Sequence, residues 1–111
     1  MEASDFCIIT TTTDNKENAD VITQMLLVKK LVACVQSSTV QSTYHWQGEI
    51  NNGEEILLTM KTKRSLFKKV QSEIEHLHTY DVPEIIMVPI VSANPSYLRW
   101  LKEETIENQS L

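Results

Sequence analysis

The stretch from residue 32 to residue 62 constrains the fold of this chain more than any other part of the sequence. Polar side chains alternate with apolar or aromatic ones in each half of it, as strands with one covered face do. The larger side chains of this alternation are Val40, Tyr44, Trp46, Ile56, Leu58 and Met60. Asn52 and Gly53 are residue types that tolerate the positive φ angles of a two-residue turn. The sequence therefore predicts one long antiparallel hairpin that turns at Asn52-Gly53.

The segment before this hairpin predicts a strand and a helix. Residues 6–9 (FCII) are apolar and β-prone, and Asp14 or Asn15 can cap a helix that runs from Lys16 to Leu31. Apolar residues recur in this segment with helical spacing. The predicted apolar face consists of Val21, Met25 and Val28, with Ile22 and Leu26 beside it.

The segment after the hairpin predicts a helix, a strand and a second helix. Residues 65–78 carry an apolar stripe with Ser65 as the cap. The stripe consists of Leu66, Phe67, Val70, Ile74 and Leu77. Residues 84–91 (EIIMVPIV) predict a fourth strand, in which Pro83 marks the start and Pro89 indicates an edge or a bulge. The pair Asn94-Pro95 indicates where the last helix begins.

The element order β-α-β-β-α-β with an extra C-terminal helix predicts an α+β, ferredoxin-like plait. We expect residues 1–111 to form one domain, with a core over about residues 6–101 and frayed ends. The hairpin is longer than a plait of this size needs, so it leaves strand edges unpaired and exposes Tyr44 and Trp46. A second copy of the chain would cover both features. The sequence therefore predicts a homo-oligomer that assembles through strand edges.

Composition and charge exclude several classes of function. The net charge of −5 argues against a nucleic-acid partner, and two glycines are too few for a glycine-rich phosphate loop. The apolar runs are too short to span a membrane, and the first residues (MEASDF) lack the apolar stretch of a secretory signal, so we expect a cytoplasmic protein. Cys7 and Cys34 lie in apolar runs without a CxxC motif, which predicts free thiols and not zinc ligands.

Five segments together resemble the CutA family of divalent-cation tolerance proteins. They are LVACVQ (31–36), STYHWQGEI (42–50), EEILLTMKT (54–62), HTYDVPEIIMVPI (78–90) and YLRWL (97–101). The resemblance implies a PII-like fold, a tight trimer held by strand pairing between subunits, a link to copper and other divalent metals, and no enzyme activity. The positions that match the family pattern are Trp46, Gly48, Lys61, Tyr80, Pro83 and Glu84.

The chain also departs from the family pattern at two positions. Thr10 stands where some relatives carry a cysteine that is proposed as a copper ligand, and Thr79 stands where a proline is common. These departures argue against a cysteine-based metal site.

His78 and Glu84 are the candidate metal ligands, because imidazole and carboxylate groups suit Cu(II) and other divalent ions. Two ligands are too few for a tight site in one chain, so a trimer axis or an inter-subunit cleft would have to supply others. The alternative places His78 at a helix C-terminus, where the helix dipole favours it, and has Glu84 hold a backbone or lysine group. No cofactor is required in either case.

Two functional hypotheses remain open at this point. The first is a non-catalytic, homotrimeric divalent-metal-tolerance protein that binds copper or another divalent cation. The second is a PII-like ligand-sensing or scaffold trimer, in which Lys61, Tyr80 and Glu84 line an inter-subunit pocket for a small anion or a nucleotide-like ligand. The structural alternative to such a ligand pocket is that these residues form an ion pair that holds the trimer together. Trp46 and Trp100 are expected to be core or interface anchors.

Overall fold

The computed structural model describes residues 1–107, which form a four-stranded antiparallel sheet and three helices. The strands are β1 (Phe6–Thr13), β2 (Cys34–Trp46), β3 (Glu49–Lys63) and β4 (Ile86–Pro89), and the helices are α1 (Lys16–Val28), α2 (Phe67–Leu77) and α3 (Pro95–Glu103). The strand order is β2-β3-β1-β4, so that β2 and β4 are the edges. This arrangement confirms the predicted ferredoxin-like plait with its long hairpin and extra helix. None of the helices in this range is long and apolar enough to cross a membrane.

The hairpin turns at Gln47-Gly48, so the prediction of a turn at Asn52-Gly53 was wrong. Gln47 and Gly48 have φ angles of 51° and 78°, the left-handed values that a two-residue turn of this kind requires. Asn52 and Gly53 instead lie inside β3, opposite Thr43 and Ser42.

The physical reason for this register is the pairing of apolar residues at the base of the hairpin. Met60, which is fully buried, pairs with Val35 in the observed register. A turn at Asn52-Gly53 would place Met60 opposite His45 and would leave Val35 without a partner in β3. Because register is specified wherever one face of a sheet is buried, the core selects the turn at Gln47-Gly48.

Gly48→Ala is expected to lower the free energy of unfolding by about 1 kcal/mol, because a Cβ atom is disfavoured at positive φ. Gly53→Ala is the matched control, since no atom lies within 4 Å of the position that its Cβ would occupy. We expect the control to stay within about 0.5 kcal/mol of the parent chain. Urea unfolding at one protein concentration measures both changes. A larger loss for Gly53→Ala would contradict the observed register.

Helix α1 ends earlier than predicted and turns a different face to the sheet. It ends at Val28, and the predicted face residues Val21 and Val28 are 46% and 72% exposed. The buried residues of α1 are Asn18, Ala19, Ile22 and Leu26. Asn18 explains the difference, since its side chain bonds to both β1 and the end of α2 and so fixes the rotation of the helix.

The main core lies between the helices and one face of the sheet. Its buried residues include Cys7, Ile9, Ile22, Leu26, Leu58, Met60, Leu66, Val70 and Ile74. The predicted stripe of α2 is therefore confirmed, although Ser65 lies in a 3-10 turn (Arg64–Leu66) and Leu66 is the residue that precedes the helix. A second, smaller cluster forms where Leu98 and Leu101 of α3 cover Phe6. Asn94 and Pro95 open α3 as predicted.

The segment after α3 is hydrogen-bonded to the rest of the protein as far as it is described, and the predicted fraying of the chain ends stays a prediction. The Ile106 amide donates to the Lys30 carbonyl, at 3.0 Å. The buried Lys63 ammonium donates to the carbonyls of Thr105 and Ile106, at 3.1 and 3.0 Å, and to the Glu107 carboxylate at 3.3 Å. Residues 108–111 of the predicted tail lie outside the described residues.

Strand β4 is short, and the sheet face on the side away from α1 and α2 is open except at the end that α3 covers, near Phe6 and Lys61. β4 covers Ile86–Pro89 and not the predicted 84–91, so Pro83 lies in an irregular segment ahead of it, while Pro89 sits on an edge strand as expected. The open face exposes large side chains: Tyr44, Trp46, Ile86 and Val88. This face and the segment before β4 form the surroundings of the candidate site.

Candidate functional site

A cleft of about 830 Å³ opens on this face, between the sheet and the irregular segment that joins α2 to β4. Thr12 of β1, Ser42 of β2 and Glu55 of β3 contribute the sheet side, and the other wall consists of Tyr80, Asp81, Val82 and Glu84. We call it the acidic cleft, because it is lined by the carboxylates of Asp14, Glu55, Asp81 and Glu84, together with the rings of Tyr44, Trp46 and Tyr80.

His78 connects the end of α2 to the sheet beside this cleft. It is the C-cap of α2, as the alternative interpretation of this residue expected. Its Nε2 lies 2.8 Å from the Thr12 carbonyl oxygen, and its Nδ1 lies 3.0 Å from the backbone nitrogen of Tyr80. Because a carbonyl only accepts and an amide N–H only donates, these partners assign the neutral ring with its proton on Nε2. Both ring nitrogens are therefore occupied by bonds within the chain.

Tyr80 links the wall of the cleft to β3. Its hydroxyl donates to the Glu55 carboxylate at 2.7 Å, and its ring lies against His78 with centroids 4.8 Å apart. Burial raises the pKa of Tyr80 well above its usual range, and the hydrogen bond to Glu55 and the negative charges of Glu55 and Asp14 add to this effect. Tyr80 thus stays protonated and remains a donor to Glu55. The sequence pointed to Tyr80 but gave no indication of Glu55.

Glu84 is the more accessible of the two predicted metal ligands. Its carboxylate is exposed, and its partner is the Thr10 hydroxyl at 3.4 Å, a long and weak hydrogen bond. The structure therefore brings together Glu84 and Thr10. Within residues 1–107, no group of three or more His, Cys, Asp and Glu side chains is arranged to hold a metal ion.

Lys61 does not join Tyr80 and Glu84 within one chain. Its ammonium donates to the Gln36 side chain at 2.9 Å and lies 5.8 Å from the centre of the Tyr97 ring. Lys61 is not among the residues that line the cleft. A pocket that combines these three residues would need Lys61 from a second copy of the chain.

Both cysteines are free, and they differ in their surroundings. Cys7 is fully buried in the main core, whereas Cys34 is half-buried on the edge strand β2. Burial raises the pKa of the Cys7 thiol from its ordinary value of 9.0 to about 11, and the charge of Arg64 opposes the shift. Neither thiol is among the residues that line the acidic cleft.

We expect iodoacetamide at pH 8 to alkylate Cys34 in the native protein while Cys7 stays unmodified until the chain unfolds. A raised pKa leaves Cys7 with about a hundredth of the thiolate of an unshifted thiol, and burial adds a steric barrier. Because the thiol ionises less readily in the folded chain, the fold keeps its full stability below pH 9.0 and loses stability as the pH rises from there towards about 11. Mass spectrometry of labelled peptides measures the two rates. Equal rates for both thiols would contradict the buried placement of Cys7.

The chain is similar over nearly its whole length to a family of known proteins. The family model described as CutA1 divalent ion tolerance protein matches residues 7–104. The chain is 38% identical over 99 residues to the divalent-cation tolerance protein CutA of Thermus thermophilus, and the match covers 88% of this chain and 96% of that protein.

Solved structures give the same result. The crystal structure of CutA1 from Pyrococcus horikoshii matches with a TM-score of 0.88 at 34% identity and covers 91% of this chain and 99% of that chain. The periplasmic divalent cation tolerance protein CutA from Archaeoglobus fulgidus matches with a TM-score of 0.87 at 32% identity and covers 89% of this chain and 97% of that chain. These matches confirm the resemblance that the sequence segments indicated. The chain therefore belongs to the CutA1 divalent ion tolerance protein family.

Proposed function

We propose that this protein is a non-catalytic, homotrimeric divalent-metal-tolerance protein that binds copper or another divalent cation. Family membership supports the link to divalent metals. The observation that carries the binding proposal is the acidic cleft, where Asp14, Glu55, Asp81 and Glu84 lie around one cavity. A cleft lined by charges of one sign raises the local concentration of the opposite ions.

Glu84 and His78 are the ligands that we assign to the cation. Glu84 is free to coordinate, since its contact with the Thr10 hydroxyl is long. His78 must exchange one of its two hydrogen bonds, to Thr12 or to Tyr80, for the metal. A neighbouring subunit would supply the remaining ligands, which accords with the lack of a three-residue metal group in the described part of one chain.

The ligand assignment is tested by titrating the protein with Cu(II) and recording electron paramagnetic resonance spectra. We expect nitrogen hyperfine coupling from an imidazole, which should disappear in His78→Ala and persist in His76→Ala, a control at an exposed histidine of α2. Glu84→Gln is expected to weaken copper binding about tenfold, which corresponds to the loss of one charged ligand worth about 1.4 kcal/mol. Unchanged coupling and affinity in His78→Ala would show that His78 is not a ligand.

The trimer proposal rests on the open sheet face and the two sheet edges. Tyr44 and Trp46 are 48% and 59% exposed at the end of the hairpin, and Ile86 and Val88 are exposed on β4. The outer edges of β2 and β4 carry backbone groups with no strand beside them in the described chain. Strand pairing between copies would satisfy those groups and cover the apolar side chains.

Trp46→Ala is expected to weaken the trimer, because a large aromatic side chain at the centre of an interface contributes more than most contacts. His45→Ala is the matched control, since His45 is its exposed neighbour on the opposite face of β2. Sedimentation velocity at low micromolar protein measures the fraction of trimer. A trimer that is equally stable in both variants would contradict the role of Trp46.

A second candidate function is ligand sensing by a PII-like trimer in which metal binding is incidental. The size of the acidic cleft favours it, because about 830 Å³ bounded partly by aromatic rings is far more than one metal ion needs. Stoichiometric metal uptake through His78 or Glu84 distinguishes the two functions. The cytoplasmic location stays a prediction, and the Archaeoglobus fulgidus protein described above is called periplasmic.

A further inference from the structure

We propose that His78 binds the divalent cation through Nδ1 and thereby gives up its hydrogen bond to the Tyr80 amide, so that metal binding moves residues 79–84 (the wall segment). This inference rests on the metal binding proposed above and adds which atom is the ligand and how the chain responds. The hydrogen bonds that carry it lie within one chain, so it does not require the sheet face that a second copy would cover.

The two ring nitrogens of His78 differ as ligands. Nε2 donates to the Thr12 carbonyl at 2.8 Å, whereas Nδ1 accepts from the Tyr80 amide at 3.0 Å. Binding through Nε2 would break the bond to Thr12 and shift the proton to Nδ1, where it would face the Tyr80 N–H, donor against donor. Binding through Nδ1 breaks one bond and keeps the other, and a carbonyl partner on the second nitrogen is what orients most metal-bound histidines.

The Thr12 carbonyl is available to His78 because strand β4 does not reach it. β4 begins at Ile86, opposite Thr10, so its register with β1 ends two residues before Thr12. The His78 ring takes the place of a strand partner at this point. That bond holds the plane of the ring while Nδ1 exchanges the amide for an ion.

The Tyr80 amide must leave its position when Nδ1 binds an ion. Its nitrogen lies 3.0 Å from Nδ1, on the side of the lone pair that a metal would use. An ion bound to an imidazole lies about 2 Å from the nitrogen, so the amide has to move by a comparable distance, about 2 Å. The Tyr80 hydroxyl donates to Glu55 at 2.7 Å, and a hydrogen bond does not survive a displacement of this size. The Tyr80–Glu55 bond is therefore a latch that holds the wall segment in its metal-free position.

Glu84 independently supports a movement of the wall segment. Its carboxylate contacts the Thr10 hydroxyl, whereas His78 contacts Thr12, two residues further along β1. Strand residues rise about 3.4 Å each, so the two contact points are about 7 Å apart. Two ligand atoms that each lie about 2 Å from one ion are at most about 4 Å apart. Glu84 must therefore move towards His78, and its long contact of 3.4 Å with Thr10 opposes this little.

Hydrogen exchange of the native assembly, with and without one equivalent of Cu(II) per subunit, tests the release of the amide. We expect the Tyr80 amide to exchange at least about fivefold faster with copper, because it loses its acceptor. The Ile106 amide, which bonds to the Lys30 carbonyl, should keep its rate. Nitrogen-15 spectra of the histidine rings with Zn(II), a diamagnetic probe, identify the ligand atom. We expect the Nε2 proton of His78 to persist and the Nδ1 signal to shift.

Tyr80→Phe tests the latch, because it removes the hydroxyl and keeps the ring. Since the bond to Glu55 holds the wall segment against metal binding, its loss should raise the affinity for Cu(II) about tenfold. Tyr97→Phe in α3 is the matched control, because Tyr97 does not line the cleft, and we expect its copper affinity to equal that of the parent chain. A tyrosine that only stabilised the wall segment would leave the affinity unchanged or lower it.

The results separate this inference from the metal proposal. The inference alone is overturned if His78 binds the ion through Nε2, if copper leaves the exchange of the Tyr80 amide unchanged, or if Tyr80→Phe binds copper no more tightly than Tyr97→Phe. Ring signals of His78 that do not respond to Zn(II), together with copper spectra that do not change in His78→Ala, would refute the metal assignment to His78. This inference would then fail with it.

Discussion

Replacing Lys63 by methionine is expected to lower the free energy of unfolding by about 3 kcal/mol, because hydrogen bonds from a charged donor contribute about 1.5–3 kcal/mol each. The Lys63 ammonium is buried and donates to two backbone carbonyls and one carboxylate of the segment after α3. Methionine fills a similar volume, so the change removes the donor and leaves those carbonyls without it. The segment should then separate from β3, and the contact between Ile106 and Lys30 should be lost with it.

Lys68→Met in α2 is the matched control, because Lys68 is exposed and the same chemical change there is expected to cost less than about 0.5 kcal/mol. Urea unfolding at one protein concentration gives both values, and a fixed concentration is needed since assembly contributes to apparent stability. Hydrogen exchange of the Ile106 amide gives a local measure and should become faster only in Lys63→Met. Equal stability of the two variants would contradict the role of Lys63.

Asn18→Ala is expected to lower the free energy of unfolding by about 2 kcal/mol, because a buried partner left without its hydrogen bond costs about 1–3 kcal/mol. The Asn18 side chain accepts from the Thr13 hydroxyl and donates to the Leu77 carbonyl, each at 2.9 Å. It therefore joins β1, α1 and the end of α2 at one buried point. Its removal should also loosen the neighbouring His78, and with it the wall of the acidic cleft.

Gln24→Ala is the control for this change, since Gln24 is exposed on the same helix. A double-mutant cycle with Thr13→Val isolates the bond between the two side chains. We expect Thr13→Val to cost less in the Asn18→Ala background than in the parent chain, because its partner is already gone. Strict additivity of the two changes would show that the Thr13–Asn18 bond does not stabilise the fold.

The order of the elements and the stripe of α2 could be predicted from the sequence because both depend on local patterns. The apolar residues from Leu66 to Leu77 recur with one helical period, and Asn94-Pro95 is a helix start that depends on adjacent residues alone. The turn could not be chosen in the same way. Asn52-Gly53 and Gln47-Gly48 each contain a glycine that suits a tight turn. Only the pairing of Met60 with Val35, far from the turn, distinguishes the two possible turn positions.

The face of α1 was missed for a related reason. Two neighbouring stripes of apolar residues run along this helix, and the helical period fits either of them. The hydrogen bonds of Asn18 to β1 and α2 decide the rotation, and they join residues that are far apart in the sequence. A polar residue that becomes buried through long-range contacts leaves no periodic signal.

The candidate site could be predicted in part. Tyr80 and Glu84 were identified by resemblance and do line the cleft, whereas Glu55 and Asp14 were missed. The predicted turn at Asn52-Gly53 gave a wrong register for β3, so the position of Glu55 could not be predicted. The observed register places Glu55 opposite Val40, on the face of β2 that carries Tyr44 and Trp46. The Gln47-Gly48 dipeptide, with Trp46 and Glu49 on either side, was the signal that could have located it.

Native mass spectrometry of the purified chain, with and without one equivalent of Cu(II) per subunit, tests the central proposal most directly. The proposal predicts a trimer in both samples and copper uptake in whole-number steps in the second, up to one ion per subunit. A monomer would contradict the assembly through strand edges. A trimer that remains free of copper would contradict metal coordination at His78 and Glu84, and would leave ligand sensing as the function.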